Sequence, residues 1–440
     1  MSKKRKELTL IIDENNNFSF EGTSFQITKN KNKLLKPYGK QLLNFGKKIE
    51  LLPTIEEFIK INQQIGNARF VGNNYLNERM DYYDNTKETL SVSKYKKEYL
   101  PKLKEENDFL KLSDKFALEG AIENIDSAYN NFFSGRAGFP KFVSKNKPNG
   151  NRYTTKETNG NIKVLFKDNL PYIQLPRVGK IRFILPKNET IDTFLPKGAH
   201  ITKATVERIG KRYFVSLQIE LIIDEINIVS TLSKSDIYAG DLGIKTFLVY
   251  GNDSETIEVS NPRWIKVHEK KLIRFQKALS RKYYDTKTHK GSKNYYKMKD
   301  KLAKEHLKVK NQRKDFQHKL SRTIVNKCKV FISENLNISG MVKNHKLAKE
   351  ISSVAWGQFL TFVKYKLERK GGLFIKVDRF YASSKLCNKC GYKKTDLKLS
   401  DRIWKCPQCG TVHDRDINAK DNILFEGTKI LLNDYDITLI

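Results

Sequence analysis

Four of the chain's five cysteines fall into two Cys-x2-Cys pairs, Cys387/Cys390 and Cys406/Cys409, with fifteen residues between the pairs. A glycine follows each pair at once, Gly391 after the first and Gly410 after the second. No other feature restricts the fold so tightly. Two thiols three positions apart converge on one point only if the backbone turns sharply, and glycine permits such a turn. The spacing fits a four-thiolate, tetrahedral Zn2+ site that is closed and therefore stabilises rather than catalyses. It sets residues 386–410 apart as a zinc ribbon within a larger domain. Cysteines used this way point to a reducing compartment instead of disulfides. No run of about eighteen apolar residues occurs, and no secretory apolar core follows MSKKRKELTL. The expected location is therefore the prokaryotic cytosol or nucleoid, with no membrane partner. The fifth cysteine, Cys328 in KCKVFI, reads as a buried core thiol.

At 440 residues the chain exceeds the size at which a single core stops growing, so two or more domains are expected. Its 83 Lys and Arg against 49 Asp and Glu leave a formal charge of +34. A surface so charged repels itself unless a polyanion neutralises it. The basic residues run along the whole chain, which suits a protein wrapped around a long nucleic acid better than one with a single basic arm. A solubility device or a ribosome-type structural protein would share the charge but has no use for the carboxylates described below.

Residues 1–50 alternate strand-like runs (Leu8–Ile12, Phe18–Phe20, Phe25–Ile27) with Asn- and Lys-rich turns. A helix opens at Thr54, where Thr54 and Glu57 make a capping-box pair after Pro53. Phe58, Ile61, Ile65, Ala68, Val71 and Tyr75 then recur at helical spacing. A second amphipathic helix carries Leu118, Ala121, Ile122, Ile125 and Tyr129 on one face. From Gly138 to about Ile223 the period changes to two, with a hairpin turn at Gly210-Lys211. Strands on both sides of a helical block predict a multidomain α+β and α/β protein: a wedge-like β-barrel over 1–50 and 135–230, interrupted by a helical recognition lobe over 51–134. Beyond a linker at Asp224–Asp236 come the strands Ile237–Leu242 and Phe247–Tyr250, then two basic helices meeting near Thr286–Ser292. Met298, Leu302, Val309, Phe316, Leu320 and Ile324 form the apolar seam of the second. Val330–Ile332 reads as a buried strand, Val354–Arg369 as a helix and Leu373–Val377 as a strand, and a short helix closes the chain.

Three acids stand out against this pattern. Asp241 lies on a strand just before Gly243, in YAGDLGIKTFLVY; Glu334 ends an apolar run in KVFISENLNISGM; Asp416 sits at the mouth of the last helix in HDRDINAKDNIL. A strand carrying a carboxylate and turning through glycine into its neighbour is how an RNase H-like sheet begins. Phosphodiester hydrolysis by two Mg2+ ions needs such a trio, one acid bridging both ions and one holding each. Asp241 takes the bridging role, with Glu334 and Asp416 on either side, and a helix N-terminus favours the ionised Asp416. Each acid alone has a plainer reading, as a turn, edge or solvated residue. Asp414 rivals Asp416, its plainer role being the helix cap. The seven histidines form no catalytic pattern; His318 and His413 read as packing or phosphate contacts. Lys282, Lys293, Lys297, Lys299, Arg313 and Lys314 on the basic helices are candidate backbone contacts. Tyr75 and Tyr129 could stack on bases but fit core packing better.

With these residues placed, the chain resembles the TnpB family of transposon-associated RNA-guided nucleases, related to compact type V CRISPR effectors. The resemblance runs from about Pro53 to Leu424 through ARFVGNNYLNER, AYNNFFSGRAGFPKF, AGDLGIK, NQRKDFQHKLS, ISENLNISGM, SSVAWGQF, ASSKLCNKCG and CPQCGTVHDRDINAKDNI. It implies a bilobed protein whose RuvC nuclease domain, 231–385 and 411–440, holds the zinc ribbon 386–410. It implies cleavage of double-stranded target DNA selected by a guide RNA, by a chain acting as a monomer. It also places Asp241, Glu334 and Asp416 on the catalytic trio, with Asp416 favoured over Asp414, and the four cysteines on the zinc ligands. Three readings stand beside this one: a compact type V CRISPR effector, a non-cleaving RNA-guided repressor, and a DNA-strand transferase.

Overall fold

The computed structural model describes residues 8–14, 17–21, 28–145, 148–187, 189–288, 290–342, 348–398, 401–435 and 437–440. The strand expected at Phe25–Ile27 lies outside them. The chain divides into two compact units, Met1–Glu225 and Ile226–Ile440.

In the first unit a hairpin of β1 (Thr9–Ile12) and β2 (Phe18–Glu21) precedes β3 (Lys40–Leu52). Helix α1 (Ile55–Thr86) follows, opened by the capping box: the Thr54 N–H donates to Glu57 Oε2 at 2.8 Å and the Glu57 N–H to Thr54 Oγ1 at 3.4 Å. Ile61, Ile65, Ala68, Val71 and Tyr75 are buried as their spacing demands. Phe58 stays 41% exposed, its ring set edge-on against Tyr213. Helix α2 (Lys115–Phe133) is capped by Asp114, whose Oδ2 accepts the Ala117 N–H at 2.9 Å and the Thr155 hydroxyl at 2.5 Å. Six strands complete the unit: β4 (Arg152–Lys156), β5 (Lys163–Lys167), β6 (Leu170–Leu175), β7 (Gly179–Ile184), β8 (His200–Ile209) and β9 (Arg212–Asp224).

These strands and β3 form one antiparallel sheet in the order β4-β8-β9-β3-β7-β6-β5. The barrel expected from the sequence is thus an open sheet, with β4 and β5 as edges and no ladder joining them among the described residues. All seven strands nonetheless feed one core, which Ile61, Ile65 and Ala68 of α1 and Ala117 of α2 cover. Strand β3 is the difference that matters most. Its twelve-pair ladder with β9 runs from Lys40–Asp224 to Leu51–Tyr213, yet KQLLNFGKKIELL lies outside the strand-like runs read from residues 1–50. Ile49 and Leu51 line the core from one face, while Lys40, Asn44 and Lys48 stand on the other beside the buried Leu42.

The second unit is built on a five-stranded mixed sheet. Strands β10 (Ile237–Leu242), β11 (Thr246–Gly251) and β12 (Thr256–Ser260) are antiparallel neighbours. Two helices, α3 (Trp264–Ser280) and α4 (Lys293–Lys327), pack on each other and lead to β13 (Val330–Glu334), which pairs parallel with β10. Helix α5 (Trp356–Glu368) then leads to β14 (Leu373–Val377), parallel with β13, for a final order β12-β11-β10-β13-β14. The small hairpin β15 (Ile403–Lys405) and β16 (Val412–Asp414) runs straight into α6 (Arg415–Asp434).

Each face of this sheet is covered. Tyr238, Leu242, Leu248, Tyr250 and Phe331 meet Ile324 and Val325 of α4 and Trp356, Phe359, Val363 and Leu367 of α5. Ile237, Ala239, Val330 and Ile332 meet Ile423, Leu424 and Leu431 of α6. The α6 backbone lies so close that a Cβ on Gly427 would come within 2.1 Å of Ile332 Cγ2. Among the described residues, no helix is long and apolar enough to cross a membrane.

Candidate nuclease site and cysteine knuckle

Register alone brings Asp241 and Glu334 together. Ala239 of β10 faces Ile332 of β13 across a parallel ladder, and each acid stands two residues further along its strand. Side chains two apart point the same way, so both acids project from the face that α6 covers. Parallel neighbours lie about 4.8 Å apart, and the acids are side by side at the carboxyl ends of the two central strands. Asp416 arrives from the first turn of α6. Asp414 is occupied otherwise: its Oδ1 accepts the N–H groups of Asp416 at 2.9 Å and Ile417 at 3.1 Å, the work of a helix cap.

The three carboxylates act on one another. Burial raises Asp241 well above its ordinary range, and the negative charges of Glu334 and Asp416 raise it further, against the opposing pull of Arg415 and Arg402. Glu334 is also raised by burial, opposed by the Ser383 hydroxyl and by Arg415. Two neutral or cationic groups hold the outer acids: Ser383 Oγ donates to Glu334 Oε1, and the Arg402 guanidinium pairs with Asp416. Among the described residues, the four cysteines are the set of three or more candidate ligands whose donor atoms all lie within 4.8 Å of one another. The acids spread more widely than that. Two cations about 3.5–4 Å apart need a central bridging acid with flanking ones, not convergence on one point.

The cysteine cluster is compact. Cys387 Sγ lies 3.6 Å from Cys409 Sγ, and Cys390 Sγ lies 3.6 Å from Cys406 Sγ. A disulfide would need about 2.05 Å. Tetrahedral Zn–S bonds of about 2.3 Å put the sulfurs about 3.8 Å apart, so the cluster has room for one four-coordinate metal such as zinc. Gly391 and Gly410 adopt φ of 76° and 74°, and their N–H groups donate to Cys387 O and Cys406 O, each at 2.9 Å. Both knuckles therefore turn where the glycines stand. His413 belongs to this cluster, with Nε2 3.0 Å from Cys387 Sγ and its ring against Trp404.

The remaining candidates sort by burial. Cys328 is a core thiol, its Sγ 3.2 Å from Ile324 O, and burial pushes it up to about 12. Burial lowers His318 to about 4, and its ring stacks on Phe362. Tyr75 and Tyr129 are buried. Lys282, Lys293, Lys297 and Lys314 are exposed, and Lys299 is half-buried. Arg313 departs from the set: its guanidinium donates to the carbonyls of Ser352 and Ser353 at 3.3 and 3.1 Å. Sequence reading had no sign of Ser383, Arg402 or the knuckle role of His413. A serine or arginine close to a cysteine pair carries no periodic signal; only the fold brings these residues to the acids.

A mixed sheet with paired acids on its central strands, a third acid on the covering helix, and a four-cysteine knuckle beside it fits a two-unit α+β protein of nuclease type. Residues 231–345, which include Asp241 and Glu334, match a family model described as "Probable transposase". Residues 356–423, which include Asp416 and all four clustered cysteines, match "Cas12f1-like, TNB domain". Residues 43–88 match "Helix-turn-helix domain", although here they form most of β3 and one long helix. A Streptomyces pristinaespiralis protein named "Putative RNA-guided DNA endonuclease" is 31% identical over 386 residues, covering 86% of this chain and 88% of its own. An Escherichia coli K12 protein, "Putative RNA-guided DNA endonuclease InsQ", is 24% identical over 401 residues, covering 87% and 92%. The fold is like that of Cas12f1 in a complex with single-guide RNA and target DNA: TM-score 0.54, 18% identity, 84% of this chain and 83% of that one. The chain belongs to the TnpB-like family, which is related to type V CRISPR effectors.

Proposed function

We propose that this protein is an RNA-guided DNA endonuclease that cuts double-stranded target DNA by metal-dependent phosphodiester hydrolysis. Asp241, Glu334 and Asp416 hold Mg2+, and Cys387, Cys390, Cys406 and Cys409 hold Zn2+. One observation carries the reading: the parallel ladder sets Asp241 beside Glu334 on the face that α6 covers, with Asp416 in that helix's first turn. Left alone, that arrangement costs stability, and hard divalent cations bound by carboxylate oxygen remove the cost. Bound Mg2+ supplies Lewis-acid polarisation of the phosphate and lowers the pKa of an attacking water.

The chain's own groups do the rest. Asp241, fixed by a strand paired on both sides, sets the centre of the site. The rigid strand end beneath Glu334 and the first turn of α6 beneath Asp416 set its flanks. Arg402 and Arg415 place positive charge beside the acids, where a phosphodiester also brings negative charge. The formal charge of +34 suits an RNA–DNA heteroduplex recognised by shape and phosphate contacts, with base pairing supplying specificity. Residues 231–385 and 411–440 form the RuvC domain in this reading, and 386–410 the zinc ribbon. The open sheet built from 1–50 and 135–230 is the wedge, 51–134 the recognition lobe, and the site of action the cytosol.

The test is cleavage by protein copurified with its RNA. Mg2+-dependent cutting of a matched duplex is expected, and Asp241→Ala is expected to abolish cutting while RNA and target binding persist. Undiminished cutting by that variant would remove the trio from the mechanism.

A further inference from the structure

The segment that enters the first knuckle is fastened along its length to α6, the helix that carries Asp416. Asn422 Nδ2 donates to Ser383 O and to Leu386 O, both at 2.7 Å. Asn418 Nδ2 donates to the same Leu386 carbonyl at 2.7 Å, and its Oδ1 accepts the Asn388 N–H at 3.0 Å. Asn388 Nδ2 reaches Asp421 Oδ2 at 2.8 Å. Tyr381 closes the other end, its hydroxyl donating to Asn422 O at 3.2 Å. Asn418 and Asn422 are buried, as is Ser383. Buried amides with this many partners in a dry setting hold a segment rigidly, because releasing any one leaves an unsatisfied polar group.

Within that fastened segment, one side chain points back at the acids. The Ser383 hydroxyl donates to Glu334 Oε1, and Ser383 lies four residues before Cys387. A carboxylate with one oxygen engaged by a fixed donor loses rotational freedom and presents its other oxygen in a set direction. Outer partners of ligating carboxylates tune metal affinity in this way.

We propose that Ser383 is the positioning residue for Glu334, held in place by Asn422, and that the pair sets how tightly the acid cluster binds divalent cation. This rests on the metal-site reading above and adds the second layer to it. Ser383 touches no substrate; it acts through Glu334. Cys387, four residues along, ties the same segment to the knuckle, so the knuckle's integrity is transmitted to the nuclease site through this hydroxyl.

The test uses the full-length protein with its RNA and without target DNA, titrated with Mn2+ and followed by electron paramagnetic resonance of the free ion. Ser383→Ala is expected to weaken Mn2+ binding by about 10-fold or more, with zinc content and melting temperature unchanged. Ser383→Thr, which keeps the hydroxyl, is expected to restore most of the affinity. Asn422→Ala is expected to weaken binding as well, and the double variant to bind about as weakly as Ser383→Ala alone, since both changes act through one hydrogen bond. Unchanged affinity in Ser383→Ala overturns the proposal, as do equal losses in the Ala and Thr variants or fully additive losses in the double variant. Asp241→Ala separates the two readings. If it also binds Mn2+ like the parent protein, the acid cluster is not the metal site; if it alone loses binding, only the role of Ser383 fails.

Discussion

The second unit contains two sets of candidate metal ligands, and they are assembled in opposite ways. The cysteines come from 23 consecutive residues, Cys387 to Cys409, and two local turns bring them together. The acids come from positions 241, 334 and 416 and meet only because a parallel ladder and a covering helix set them side by side. The donors differ as well. Soft thiolates closing on one point suit a permanent structural ion, whereas hard carboxylates spread around a desolvated centre suit exchangeable ions and a substrate oxygen. Stability is therefore concentrated at the knuckle and strain at the acids, so changes at the two centres should have opposite effects on folding.

The largest expected effect is the sharpest test of that contrast. Asp241→Asn should reduce cleavage on the order of 10³-fold or more, yet raise the melting temperature of the metal-free protein. The sign follows from the raised native pKa. The stability that Asp241 contributes is fully present below its ordinary value of 3.8 and is lost as pH rises through the raised native value. Glu334 behaves alike above 4.5. Metal-free stability should accordingly fall from mild acid toward neutrality, and added Mg2+ should recover it in the parent protein but not in the variant. A melting temperature that drops on Asp241→Asn would break the comparison.

Cys406→Ala should go the other way, losing bound zinc and about 3–5 kcal/mol of stability by denaturant melts, because a structural site's binding energy is folding energy. Gly427→Ala disturbs the seat of α6 on the sheet. Its Cβ would meet Ile332 Cγ2 at 2.1 Å, so a loss of about 1–3 kcal/mol is expected. Because α6 carries Asp416, weaker Mn2+ binding should accompany it. The smallest effect calibrates the others: Thr54→Ala removes a capping box in the first unit and should cost about 1 kcal/mol, leaving zinc content and Mn2+ affinity as they were.

Legibility in the sequence followed the same divide. Features fixed by neighbours along the chain were readable: the Thr54–Glu57 box, the knuckle glycines, the apolar strand Val330–Ile332, the hairpin at Gly210-Lys211. Features fixed by distant partners were not. Strand β3 hid because its exposed face is Lys- and Asn-rich, although its other face lines the core. Strand β12, at a sheet edge, is only five residues long, and Thr256, Glu258 and Ser260 form its exposed face. Asp241 and Glu334 were visible because each interrupts or ends an apolar run, and Asp416 because it opens the last helix. Their supports, Ser383 and Arg402, interrupt nothing, and a hydrogen bond across 49 residues has no periodicity. Arg313 shows the converse error: a basic helix invites reading every cation as a nucleic-acid contact, while this one binds backbone carbonyls of its own unit.

Asp414 is both the last paired residue of β16, opposite Ile403, and the cap of α6. The hairpin and the helix thus share a residue, with no spacer between them. Adding or deleting a single residue at that junction would rotate Asp416 by about 100° around the helix axis, away from its two companions. Thr395 and Asp396, exposed beyond the knuckle's paired return, carry no such phase constraint. Length variation among relatives should therefore gather in the outer loops of the ribbon and be absent at its exit, and an engineer grafting a different ribbon should splice before Val412, keeping the exit intact.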